Sequence, residues 1–158
     1  MIGQDELFSK PARYCFDTSS LIQLREYYPD DLFPDINQEI RSRIVSGQIV
    51  ICDLVLEELK DHEKIMHKAI VADLPKSRRA NLSEHIVETQ RIVQTYYDQL
   101  KKSHAIKADP LVIACALGTK TTVVTEEKNS DPSKIPHICA REGIECINIV
   151  EFYRNCKN

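Results

Sequence analysis

Ile49-Val50-Ile51-Cys52 is an unbroken apolar run, bounded by Gly47-Gln48 before it and Asp53 after it. It shows no alternation of apolar and polar residues. Such a strand is buried on both faces, the environment of a parallel sheet covered by helices on each side. Residues 13–17, Thr121-Thr122-Val123-Val124 and the segment Ile144 to Ile149 read as three further strands.

Helical periodicity fills the intervals. Residues 1–12 form a loose lead-in, and Leu21, Ile22, Leu24 and Tyr28 give a short helix ending near Pro29. Asp30-Asp31 opens a second run with Phe33, Ile36, Ile40, Ile44 and Val45 on one face, and Gly47 is placed to end it. Leu54, Val55, Leu59, His62, Met66, Ala69 and Ile70 predict one helix up to Pro75. Leu82, Ile86, Val93, Tyr96, Tyr97 and Leu100 predict its antiparallel partner. Asp109-Pro110 opens a helix from Leu111 to Leu117, closed by Gly118. A polar loop from Glu126 to Pro136, a short helix from Ile138 to Glu142 and a last turn from Val150 to Asn155 follow. The pattern predicts one α/β domain over residues 1–158, a three-layer α/β/α sandwich around a central, mostly parallel sheet.

With 158 residues, 42% hydrophobic and 28% charged, the composition is that of a soluble globular domain. No apolar run is long enough to cross a bilayer, and Met1 to Glu6 has no basic start or apolar core of a signal peptide. Cys15, Cys52 and Cys115 sit in apolar segments and no C-x-x-C pair occurs, so the six cysteines read as reduced, mostly buried thiols of a cytoplasmic protein. Cys139, Cys146 and Cys156 lack zinc-like spacing. The net charge of −3 does not mark a nucleic-acid binder, so a polyanionic substrate needs a local basic patch or a metal.

Four acids fall where strands end or helices begin. Asp17 ends the first strand, Glu57 and Glu58 follow the second, Asp109 begins the helix feeding the third, and Glu126 and Glu127 follow the third. Ligands of open parallel sheets bind outside the carboxyl ends of the strands. Acids distant in sequence therefore meet on one edge. Clustered carboxylates cannot all stay ionised without a cation, and an all-oxygen set suits Mg²⁺ or Mn²⁺. That is the donor set of metal-assisted phosphodiester hydrolysis. Each acid also has a plainer reading: Asp17 and Asp109 as helix N-caps, the glutamates as solvated surface.

The ordered motifs resemble those of the PIN-domain ribonucleases. Tyr14-Cys15-Phe16-Asp17-Thr18-Ser19-Ser20-Leu21-Ile22 is similar to their opening strand and Asp-Thr-Asn/Ser turn. Val55-Leu56-Glu57-Glu58-Leu59 resembles their Glu-Leu pair, and Ala108-Asp109-Pro110-Leu111-Val112-Ile113-Ala114-Cys115-Ala116 their Ala-Asp helix. Val123-Val124-Thr125-Glu126-Glu127 resembles their strand ending in Thr-x-Asp, with Glu in place of Asp. Lys134-Ile135-Pro136-His137-Ile138-Cys139 is similar to a less characterised PIN-like branch.

The resemblance implies a divalent-metal-dependent endoribonuclease. Asp17, Glu58 and Asp109 would be metal ligands, Glu127 the fourth acid, and Thr18 or Thr125 a supporting hydroxyl. Glu58 is chosen over Glu57 because the family's acid directly precedes the leucine. Neighbouring helical residues also point about 100° apart, so only one faces the site. Bacterial relatives that are toxins of toxin–antitoxin pairs imply a neutralising antitoxin protein beside the RNA substrate. The competing reading is a catalytically silent PIN-like module that binds a protein or RNA.

Other features weigh less. His62 and His67 are five apart and share no helix face, so they do not form a zinc-protease pair. Phe16-Asp17-Thr18 lacks the second Asp of an aspartyl-phosphate phosphatase, because Ser19 stands there. Lys60, Lys64, Lys68, Lys76, Arg78, Arg79, Lys101 and Lys102 read as a solvated face, with an RNA-binding patch at Arg78 and Arg79 as the alternative. Tyr96 and Tyr97 read as core or homodimer contacts rather than platforms for stacked bases.

Overall fold

Five parallel strands form the central sheet in the computed structural model of the protein, which describes residues 10–97 and 107–158. They are β1 (Tyr14–Phe16), β2 (Ile49–Cys52), β3 (Arg79–Ala80), β4 (Thr122–Val124) and β5 (Cys146–Ile147), in spatial order β3-β2-β1-β4-β5. β1 is central, with Cys15 opposite Val50 on one side and Val123 on the other. The helices are α1 (Thr18–Tyr27), α2 (Pro34–Val45), α3 (Asp53–His62), α4 (Lys64–Asp73), α5 (Ile86–Ile92), α6 (Ala108–Thr119), α7 (Ile135–Glu142) and α8 (Ile149–Lys157).

Alternation along β1 sorts the layers. Tyr14 and Phe16 point to one face, where both rings meet Phe152 of α8 edge-on at 4.8 and 5.1 Å. Cys15 points to the other face, and its thiol donates to the Val112 carbonyl of α6 at 3.9 Å. α6 buries every residue from Pro110 to Ala116. A helix apolar all round belongs in a core, and α6 lies across β1, β2 and β4 with α3 and α5 packed against it. The expected α/β/α sandwich is the observed one.

Several boundaries differ from expectation. The helix predicted from Leu54 to Ile70 breaks at Glu63, which adopts φ −142° and ψ 76°. No Gly or Pro marks the break; it lets α3 pack on α1 and α6 while α4 packs on α2. The second helical run begins at Pro34 rather than at Asp30-Asp31, because proline suits the first turn. The partner helix predicted from Leu82 is a 3-10 turn (Leu82–His85), then α5, then a wide π turn (Val93–Tyr97). Its expected end, with Leu100, Lys101 and Lys102, lies outside the described residues, as does most of the lead-in.

Gly118 does not close α6. The helix runs to Thr119, and Lys120 caps it in the left-handed conformation at φ 54°. The need for glycine at 118 is steric: a Cβ there would sit 3.0 Å from Cε1 of His85. The segment expected as a strand from Ile144 to Ile149 pairs only at Cys146–Ile147, because an Asn148–Glu151 capping box starts α8 at once. The short helix expected from Ile138 starts at Ile135, with Pro136 in its first turn. β3 was not expected at all; two residues, Arg79 and Ala80, carry no periodic signal. Among the described residues no helix is long and apolar enough to cross a membrane.

Candidate active site

The strand order reverses at β1: the chain first builds outward through β2 and β3, then crosses to β4 and β5. The crevice between the ends of β1 and β4 is therefore the topological switch point. Asp17 follows β1 there and is only 2% exposed. Its Oδ1 accepts from the Ser20 amide at 2.9 Å, as an α1 N-cap should. Its Oδ2 accepts from Ser19 Oγ at 2.8 Å and from Thr125 Oγ1 at 2.6 Å. Thr125 follows β4, so this last bond ties the two halves of the sheet. Burial pushes the Asp17 carboxyl up to about 6, against these hydrogen bonds, which hold it down.

Thr18 Oγ1 donates to Glu58 Oε2 at 2.6 Å, and the Ala108 amide donates to Glu58 Oε1 at 3.0 Å. Glu58 thus joins α1, α3 and α6, while Glu57 is exposed to solvent. Of the two glutamates, Glu58 is the one turned into the fold. Glu127 Oε2 accepts from the Ile135 amide at 2.9 Å at the start of α7. Glu126 does the same for α8, accepting from the Ile149 amide at 2.7 Å.

Asp109 differs from the others. It lies in the first turn of α6, half-buried, and among the described residues its carboxylate accepts no hydrogen bond. Burial first, then the charges of Glu127, Asp17 and Glu58, push it up to about 7, with Lys107 opposing. The charges of the other three acids all bear on Asp109. The four acids do not form a tight cage: among the described residues no three carboxylates place oxygens within 4.8 Å of one another. The oxygen donors suit a hard divalent cation that keeps several waters.

Sequence reasoning missed two neighbours of these acids. Ser19 bridges Asp17 and Thr125 and accepts from the Glu126 amide at 3.1 Å. Its place two residues after Asp17 was the available signal. The Tyr97 hydroxyl is buried without a hydrogen-bond partner among the described residues. Burial and the charges of Asp109 and Glu127 hold its pKa well above the usual range.

Arg78 and Arg79 lie elsewhere. Arg78 donates to the Gly47 carbonyl at 2.6 Å and the Lys10 carbonyl at 3.0 Å, and Arg79 to the Val71 carbonyl at 2.7 Å. These guanidinium groups brace the β3 edge, and meeting RNA would require breaking those bonds. His62 and His67 fall on different helices, α3 and α4.

Several solved structures share the fold, among them the following two. One is VapBC2 from Rickettsia felis, bound to a DNA fragment from its promoter, 13% identical, TM-score 0.52, covering 85% of this chain and 97% of that one. The other is VapBC-1 from nontypeable Haemophilus influenzae, 15% identical, TM-score 0.52, covering 87% and 98%. This likeness makes the fold PIN-like, as the motifs led one to expect. No curated protein matches the chain. The family model described as "Domain of unknown function (DUF4411)" matches residues 14–158, and the chain belongs to that family.

Proposed function

We propose that this protein is a divalent-metal-dependent endoribonuclease, working as the toxin of a toxin–antitoxin pair. The observation that carries the reading is Asp109: a partly buried carboxylate without a hydrogen bond among the described residues, facing the charges of Asp17, Glu58 and Glu127 at the switch point of the sheet. Burying such a group is unfavourable unless a ligand compensates it. Asp109 and Asp17, with Glu58 and Glu127 around them, would hold Mg²⁺ or Mn²⁺. When bound, the ion polarises the scissile phosphodiester and lowers the pKa of an attacking water.

The chain's own groups prepare that step. Ser19 and Thr125 fix the Asp17 carboxylate, so its orientation does not depend on the ligand. Thr18 and the Ala108 amide do the same for Glu58. Exposed Lys107 places a positive charge beside Asp109. The likeness to VapBC assemblies supports an antitoxin as the neutralising partner.

The test is cleavage of single-stranded RNA by the purified protein with Mn²⁺. Activity should disappear with EDTA and with Asp109→Asn. Activity unaffected by both would remove the reading. A second reading, a silent PIN-like module, is favoured by one observation: Asp17, Glu58 and Glu127 each accept backbone amides at helix starts. Wild-type protein that neither cuts RNA nor responds to Mn²⁺ would establish it.

A further inference from the structure

Three thiols meet inside the core, on the face of the sheet opposite Phe152. Cys15 lies on β1, Cys52 ends β2 and Cys115 is on α6; each is 0% exposed, and their sulfurs lie within 4.8 Å of one another. The register brings them together. Cys15 pairs with Val50, strand alternation returns Cys52 to the same face, and α6 crosses over both. Among the described residues this is the group of three potential metal donors that converges; the acids do not.

We propose that Cys15, Cys52 and Cys115 form a buried trigonal thiolate site for one soft monovalent cation, Cu⁺. Thiolates select soft ions such as Cu⁺ and Zn²⁺. Zinc in structural sites takes four ligands, and neither a fourth donor at that distance among the described residues nor solvent reaches these sulfurs. Three sulfurs about 2.3 Å from a central ion stand about 4 Å apart in a trigonal plane, so small rotamer changes close the site.

Hydrogen bonds from Cys15 and Cys52 pull the Cys115 thiol down, while hydrogen bonding with Cys115 and burial push Cys15 and Cys52 up, so the ion must displace the protons that those two hold. The imidazole of His85, seated against Gly118 one turn after Cys115, adds to the pull on Cys115. Each metal–sulfur bond that replaces an S–H bond sends its proton to the buffer, and the copper stays Cu⁺ throughout. An ion there would tie together β1, which leads into Asp17, β2, and α6, which carries Asp109 in its first turn.

The test is anaerobic titration of the full-length protein against Cu⁺ held by a chromogenic chelator. The protein should withdraw one Cu⁺ per chain, show the luminescence of a water-shielded Cu⁺–thiolate centre, and melt at a higher temperature. Cys115→Ala and Cys52→Ala should each lose affinity by at least about tenfold. Cys139→Ala combined with Cys146→Ala should keep it. Wild-type protein that leaves all Cu⁺ with the chelator overturns the site, whether or not the variants fold. So does Cys115→Ala with wild-type affinity, loss of binding in the Cys139/Cys146 variant, or displacement of Cu⁺ by Zn²⁺.

Discussion

Asp17 and Asp109 lie close enough for the charge of the first to bear on the second, yet they are treated oppositely. Asp17 is almost fully buried and saturated: an amide and two hydroxyls converge on its oxygens. Asp109 is less buried, yet among the described residues nothing donates to it. Both carboxyls are raised, to about 6 and about 7. Burial leads in both cases, but hydrogen bonds restrain Asp17 whereas neighbouring negative charge adds to the shift of Asp109. The first acid belongs to the fold even if it also binds an ion. The second has no hydrogen-bond partner to lose among the described residues, and the proposed function gives it a ligand.

The comparison is sharpened most by catalysis. Asp109→Asn should lower RNA cleavage on the order of a hundredfold or more, the scale of losing a charged contact to the transition state, while leaving the fold intact. Cleavage by that variant at the wild-type rate would remove Asp109 from the site. Stability should separate the same two residues. Asp17→Ala strands Thr125, Ser19 and the Ser20 amide, and should cost about 1–3 kcal/mol in denaturant unfolding. Asp109→Asn should be neutral or stabilising in the absence of metal. A loss on Asp109→Asn as large as on Asp17→Ala would mean that Asp109 also holds the fold.

The pH dependence follows from the raised carboxyls. Their protonated forms are favoured by folding, so this contribution to metal-free stability is complete below about pH 4, the unfolded value. It is lost as pH rises through about 6 for Asp17 and about 7 for Asp109. Wild type minus Asp109→Asn should therefore fall by on the order of 1–3 kcal/mol between pH 4 and pH 8. A flat difference would contradict the raised Asp109. The smallest effects are expected at the periphery. Glu57→Gln should be silent in cleavage and stability where Glu58→Gln is not. Arg78→Ala should cost about 1 kcal/mol of stability through its carbonyl bonds and leave the salt dependence of RNA binding unchanged; a flattened salt slope would restore the phosphate-tracking role.

Much of this was legible in the sequence, for identifiable reasons. Ile49 to Cys52 could only be a doubly buried strand, and Asp17 stood out as a charge closing an apolar segment. Helix phase showed that only one of Glu57 and Glu58 could face inward, and the resemblance, whose acid directly precedes the leucine, pointed to Glu58. Other features depend on tertiary geometry. The break at Glu63 serves the separate packing of α3 and α4. Gly118 answers to the ring of His85, which lies 33 positions earlier in the chain. The capping of α7 and α8 by Glu127 and Glu126 needs helix starts that the apolar pattern placed too late. The meeting of Cys15, Cys52 and Cys115 requires both strand register and the placement of α6.

The most direct test of the central claim is the melting of wild type and Asp109→Asn with and without Mn²⁺, in the absence of RNA. A cation held by Asp109 and its neighbours stabilises the folded state by linkage, about 2.7 kcal/mol at a hundredfold excess over the dissociation constant. Wild type should gain an increment of that order and Asp109→Asn much less, with the variant at least as stable as wild type before metal is added. A wild type indifferent to millimolar Mn²⁺, or a variant that gains as much as wild type, would contradict the assignment of Asp109 to a metal site.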